Sequence, residues 1–217
     1  MIRFENLCKG FWVRGEYRPV LDDLTMDLPT GQSMALMGRN GAGKSTLLQI
    51  LAGTMQPASG RVLRGGSVSW PVGNANSFHK DLTGVQNTRF LARAYGVDSD
   101  ELVAFVEEFA AIGDHFAMPM RSYSSGMRSR VAFGVAMGIP FDTYLIDEVT
   151  AVGDARFKRK SKEVFRARLE NATAILVSHS LNDMRNFCDS GLVLNEGKLE
   201  YYADVDDAIQ RHEELMA

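Results

Sequence analysis

Nine consecutive residues, Gly38-Arg39-Asn40-Gly41-Ala42-Gly43-Lys44-Ser45-Thr46, carry the spacing G-x-x-x-x-G-K-[ST]. Its glycines let backbone N–H groups converge on phosphate oxygens, and Lys44 adds a point charge for the β- and γ-phosphates. Ser45 offers a hydroxyl to Mg²⁺. A helix beginning at that point also aims the positive end of its dipole at the bound anion. The chemistry implied is capture of a nucleoside triphosphate with Mg²⁺.

A second group lies about 100 residues further on, where the apolar run Thr143-Tyr144-Leu145-Ile146 ends in Asp147-Glu148. Adjacent acids can divide the work: Asp147 holds Mg²⁺ through Ser45 or water, while Glu148 orients and polarises the attacking water. A strand ending in acids is common by itself, and its weight here comes from the glycine loop before it. A third group, Tyr123-Ser124-Ser125-Gly126-Met127-Arg128, precedes an apolar helix starting near Val131. Either serine would also serve as an ordinary helix cap.

These groups need positioning elements, and the pattern supplies them. Met34–Met37 is a short apolar run before the glycine loop, and residues 47–52 follow at helical spacing. Thr143–Asp147 and Ala174–Ser178 repeat the buried-strand pattern, with few charges and polar boundaries, as in a parallel sheet covered on both faces. Residues 84–138 read instead as several helices. No internal repeat or low-complexity linker interrupts the chain.

Composition narrows the function. The 217 residues are 45% hydrophobic and 24% charged, ample for a packed core and unlike a disordered or fibrous chain. Lys and Arg number 24 against 27 Asp and Glu, a formal charge of -3 that provides no general field for nucleic acid. Cys8 and Cys188 stand alone and read as reduced thiols. The most apolar stretch, Val131–Phe141, is 11 residues long and contains two glycines and a proline, so it is too short for a bilayer core of about 30 Å. The first residues lack a signal-peptide core, and a cytoplasmic location is expected.

The order of glycine loop, Tyr-Ser-Ser-Gly-Met, Asp147-Glu148 strand, Asp154 and then His179 in Val177-Ser178-His179-Ser180 resembles that of ABC transporter ATP-binding subunits. The likeness is greatest to the capsular polysaccharide exporter branch, the KpsT type. It rests on residues 38–46, Ser69-Trp70-Pro71-Val72-Gly73, Leu82-Thr83-Gly84, residues 123–130 and residues 147–158. Val149–Asp154 departs from the Pro-Thr-Ser-Ala-Leu-Asp of most such ATPases in the way that this branch shares.

The resemblance implies an α/β P-loop NTPase (ABC ATPase) fold with an N-terminal antiparallel β portion and an inserted helical subdomain. Residues 1–217 would form one nucleotide-binding domain, its core about 1–72 and 140–217 and its helical subdomain about 73–139. ATP and Mg²⁺ would be the cofactors, with Ser45 and Asp147 as metal ligands and Glu148, His179 and Asp154 as catalytic residues. In a head-to-tail homodimer, Ser124, Ser125 and Gly126 of one subunit would close over nucleotide held by Lys44 of the other. Phe11 falls where such proteins stack an aromatic on adenine, and Trp12 and Tyr17 compete for the role. The expected partners are an integral-membrane permease subunit (KpsM type) and polysaccharide export machinery at the cytoplasmic face of the bacterial inner membrane, with no nucleic acid. Near alternatives are O-antigen or teichoic-acid exporters, and further off a non-transport ABC ATPase.

Three departures stand out. Residues 72–79 lack the family's glutamine, which Asn74 or Asn76 would have to replace; Met127 replaces a glutamine and Ser125 a glycine. Arg156, Lys158, Arg159, Lys160, Lys162, Arg166 and Arg168 form a cationic run that reads as a solvated helix face or as a contact for an anionic surface or polymer.

Overall fold

The structure is a computed structural model that describes residues 1–72, 78–147 and 154–216. Glu148, Asn74 and Asn76 therefore lie outside the described residues. The first half runs β1 (Ile2–Val13), β2 (Glu16–Leu28), β3 (Met34–Met37), α1 (Lys44–Leu51), β4 (Ser59–Arg64), α2 (Gly84–Tyr95) and α3 (Ser99–Ala110). After two short 3₁₀ turns come α4 (Ser125–Gly138), β5 (Thr143–Asp147), α5 (Ala155–Leu169), β6 (Thr173–Val177), α6 (Leu181–Phe187), β7 (Ser190–Asn195), β8 (Lys198–Tyr202) and α7 (Val205–Met216).

These elements form two compact units, one of Met1–Pro71, Phe141–Glu148 and Asn171–Ala217, the other of Val72–Pro140 and Val149–Glu170. In the first, β1 and β2 form a hairpin turned by Arg14 and Gly15, whose φ values of 53° and 85° suit a two-residue loop of primed type. With β4 they make an antiparallel sheet in the order β2-β1-β4. The larger sheet has the order β5-β6-β3-β7-β8, parallel except for the β7–β8 pair.

The larger sheet's inner strands read as unbroken apolar runs because both faces are covered, and all four residues of β3 are buried. Leu47, Leu48, Ile50 and Leu51 of α1 share one apolar cluster with Phe4, Leu7 and Leu21 of the antiparallel sheet and with Leu36, Leu145 and Leu192 of the parallel one. Each such side chain contributes about 1.5–3 kcal/mol by leaving water. The carbonyls at the end of α1 are met by the Arg64 guanidinium, which donates to Ile50 O at 2.6 Å and Leu51 O at 2.7 Å. On β7, a Cβ at Gly191 would collide with Ala208, so glycine there lets α7 lie against the strand.

The second unit is helical, as the sequence predicts for residues 84–138. Its helices begin at recognisable caps: Thr83 and Gln86 form a reciprocal capping box on α2, and Asp98 accepts from two amides of α3. Phe109 is its central side chain, stacked on Phe105 and Phe133 at 6.0 and 5.5 Å between ring centroids and edge-on to Phe157 at 5.2 Å. Gly138 lets α4 approach α3, since a Cβ there would strike Leu102.

Helix α5, within the stretch of about 140–217 that the sequence reading sets in the core, groups with the helical unit. Phe157, Ser161 and Phe165 form its buried stripe at four-residue spacing. Lys160 is not a free surface cation, because its ammonium donates to Glu108 O at 2.9 Å at the end of α3.

Both cysteines are free, and burial, helped by Asp189, pushes the Cys188 thiol up to about 12, which leaves it unreactive. Among the described residues no helix is long and apolar enough to cross a membrane.

Tyr123 ties the helical unit together. Its buried hydroxyl donates to Phe116 O at 3.2 Å and accepts from Gly84 N at 3.1 Å. Tyr123→Phe strands both groups and is expected to cost about 1–3 kcal/mol. A urea titration with an unchanged slope and a lower midpoint checks this; an unchanged midpoint refutes the role of the hydroxyl.

Candidate active site

The loop between β3 and α1 is shaped by its glycines. Gly38, Gly41 and Gly43 have φ of 151°, 82° and 107°, values that side chains resist. A Cβ at Gly38 would run into the carbonyl of Leu194 on β7, and one at Gly43 into the side chain of Val20 on β2. The loop is thus pressed between two strands from different sheets. The first backbone bond of the helix is Leu47 N to Gly43 O at 2.9 Å, and no side chain caps α1. The amides of Lys44, Ser45 and Thr46 consequently have no partner within the helix and remain directed towards an incoming anion.

Lys44 is folded over this loop, its ammonium donating to Gly38 O at 2.7 Å and Arg39 O at 3.1 Å. Burial lowers its pKa from the ordinary lysine value, opposed by the negative charge of Asp147. Ser45 Oγ lies 3.4 Å from Asp147 Oδ2 at the end of β5, a long and weak contact between a hydroxyl and a carboxylate. Together with Phe11, Val20, Asn40, Gly41, Gly43, Lys44, Thr46, Val177 and His179 they line a cavity of about 440 Å³.

This set fits a magnesium-bound polyphosphate. One wall is cationic and rich in free amides, and the other supplies a hydroxyl and a carboxylate, hard oxygen donors of the kind Mg²⁺ prefers. Ser45 and Asp147 would offer such an ion two protein oxygens and leave its remaining positions to phosphate and water.

The structure gathers Gly38–Thr46, Asp147, His179 and Phe11 into one unit, and Asn40, Gly41, Gly43–Thr46, Asp147, His179 and Phe11 line one cavity. Of the three aromatics, Phe11 lines it. Trp12 and Tyr17 pair with each other across the hairpin, 5.5 Å between ring centroids, and stand outside the cavity lining. Ser124, Ser125 and Gly126 belong to the helical unit. Ser124 caps α4, accepting from Met127 N at 3.2 Å, and Ser125 and Gly126 open its first turn.

Asp154 has visible structural work. It caps α5 through Phe157 N at 2.8 Å and pairs with Arg130 at 3.2 Å. The Phe157 amide, then Arg130, hold its carboxyl below the usual range.

One residue near the loop escapes the sequence reading. His212 of α7 shares a second cavity, about 330 Å³, with Gly38, Arg39, Lys44 and His179. It sits in no motif, and only the packing of α7 on the sheet brings it there.

A strand-loop-helix cradle of this kind, with an aspartate on a neighbouring parallel strand facing its serine, defines the P-loop NTPase class. The family described as ABC transporter matches residues 21–151. Over 215 residues the chain is 46% identical to the polysialic acid transport ATP-binding protein KpsT of Escherichia coli, covering 98% of this chain and 96% of that one. It is 42% identical to the capsule polysaccharide export ATP-binding protein CtrD of Neisseria meningitidis serogroup B (strain ATCC BAA-335 / MC58), covering 99% of this chain and all of the other. Its fold matches the dimeric, post-hydrolysis ATP-binding cassette MJ0796 bound to ADP and Pi, with a TM-score of 0.78 at 20% identity over 93% of this chain and 98% of that one. The chain belongs to the ABC transporter family.

Lys44→Ala removes a partly buried charge from the cradle while leaving the glycines in place. Its affinity for a fluorescent MgADP analogue is expected to fall at least about tenfold, the scale of one charge-assisted hydrogen bond. Fluorescence titration reads the affinity and circular dichroism confirms the fold; wild-type affinity would exclude this cradle as the phosphate site.

Proposed function

We propose that the chain is the ATP-hydrolysing subunit of an ABC transporter that exports lipid-linked capsular polysaccharide across the bacterial inner membrane. The observation that carries the cargo is identity of 42–46% over nearly the whole chain to proteins named for polysialic acid transport and capsule polysaccharide export. The cavity chemistry supports the ATPase part independently, through the free amides, Lys44 and the facing Ser45 and Asp147.

Each residue then has a task. Gly38–Thr46 bind the phosphates, Ser45 and Asp147 hold Mg²⁺, and Phe11 stacks on the base. Bound Mg²⁺ would neutralise charge on the phosphates. Glu148 takes up the proton of the attacking water, and His179, on the cavity wall, donates to the oxygen that gains charge.

Closure requires a second copy. Ser124, Ser125 and Gly126 present a helix start whose space is open, the nearest atom to a Cβ at Gly126 being Ser124 Oγ at 3.9 Å. That opening supports a head-to-tail homodimer in which this segment covers the partner's nucleotide, with Asp154 near the junction. One nucleotide-binding domain spans the chain, its two compact units serving as core and helical subdomain. The domain sits at the cytoplasmic face of the inner membrane through a permease subunit of the KpsM type and passes movement to the export machinery.

Deletion of the gene in its native host, with complementation by wild type and by Glu148→Gln, tests the proposal. Polymer should accumulate inside the cells and return to the surface only with the wild type. In vitro, Glu148→Gln should retain ATP binding and shift the chain to dimers in size-exclusion chromatography. Unchanged surface polymer would remove the cargo, and wild-type turnover by Glu148→Gln would remove that residue from hydrolysis.

A further inference from the structure

His212 is a half-buried nitrogen base that the proposed chemistry does not use. Its helix is fixed on the sheet: Val205 N donates to Asp189 O at 3.2 Å, Arg211 pairs with Glu200 at 3.1 Å, and Arg185 pairs with Asp206 at 2.7 Å. The imidazole is thereby carried to a cavity beside the glycine loop. It shares a cavity of about 330 Å³ with Gly38, Arg39, Lys44, His179, Met184 and Met216.

Within that setting the ring is incompletely satisfied. Nδ1 of His212 is buried and has no hydrogen-bond partner among the described residues. A buried polar atom of this kind costs about 1–3 kcal/mol and calls for a reason. Arg39 and Lys44 on the loop, His179 after β6 and Glu213 on its own helix are the titratable and charged groups around it. Burial, then the Lys44 charge, lower its pKa from the ordinary histidine value, so at neutral pH the ring carries one N–H donor and one acceptor.

The carbonyl of Gly38 belongs to a residue that lines the same cavity. Gly38 O and Arg39 O accept from the Lys44 ammonium, and Arg39 O accepts also from Ala42 N at 3.0 Å. A bound phosphate would draw that ammonium away and leave Gly38 O in need of a donor, beside the cavity that His212 lines. We propose that His212 is a positioning residue of the nucleotide site, turning its Nδ1–H onto a loop carbonyl that Lys44 releases and so holding the loop in its phosphate-bound shape. The inference rests on the nucleotide reading given above and adds to it a contribution from the C-terminal helix.

The test compares wild type, His212→Phe and His212→Asn, the last placing an amide near the position of Nδ1. MgADP affinity is measured by fluorescence titration, and thermal unfolding with and without MgADP. His212→Phe should weaken MgADP binding about fivefold, the worth of one neutral hydrogen bond, and reduce the nucleotide-induced rise in Tm. Without nucleotide its Tm should be unchanged or higher, because it removes an unsatisfied polar atom. His212→Asn should recover most of the affinity, and in steady state the loss should fall on KM and not on kcat. Wild-type affinity in His212→Phe overturns the inference, as does a loss that His212→Asn fails to repair. A wild-type chain that does not bind MgADP would instead overturn the nucleotide reading itself.

Discussion

At Gly38 and Gly43 the backbone passes so close to its neighbours that no side chain fits, and the rest of the nucleotide unit is arranged around those two contacts. Leu194 of the parallel sheet closes on one end of the loop and Val20 of the antiparallel sheet on the other. Held from both sides, the loop has its amides fixed in place by packing. Preorganised donors of this kind need no rearrangement when charge arrives, which is why they stabilise it more than water does.

The same packing explains why the remaining chemical groups arrive where they do. Strand β3 ends in the loop, β5 ends in Asp147, and β6 leads through Val177 to His179, so three parallel strands deliver their groups at their carboxyl ends. Ligand sites in open α/β sheets form along that edge because every strand opens into a loop there. The apolar cluster that joins α1 to both sheets keeps strand ends and loop in register. A change in that core would therefore reach the site through the position of α1.

The helical unit has a different economy. Its order depends on capped helix starts and on the aromatic group around Phe109, and its exposed feature is the first turn of α4. Two residues there show how structure and function share atoms. Ser124 already caps α4, and Asp154 already caps α5, so in each the part proposed in closure is added to a bond that the fold uses. The cationic run of α5 is likewise divided, with Lys160 closing the end of α3 while Arg156, Lys158 and Arg159 remain exposed.

Local signals in the sequence settled a good deal. A glycine spacing that suits a phosphate loop, an apolar strand ending in an acid, and cap residues before apolar helices are short-range features, and β3, α1, β5 and α4 lie where those features predict. What the sequence could not decide were the matters set by long-range packing. The place of α5 depends on Phe157 meeting Phe109, residues 48 positions apart in sequence. That Phe11, and not Trp12 or Tyr17, lines the cavity depends on which side of a hairpin faces the loop. The presence of His212 beside Lys44 depends on α7 crossing β7 at Gly191. Each is a contact between segments whose spacing along the chain carries no period or motif, so only the folded packing fixes it.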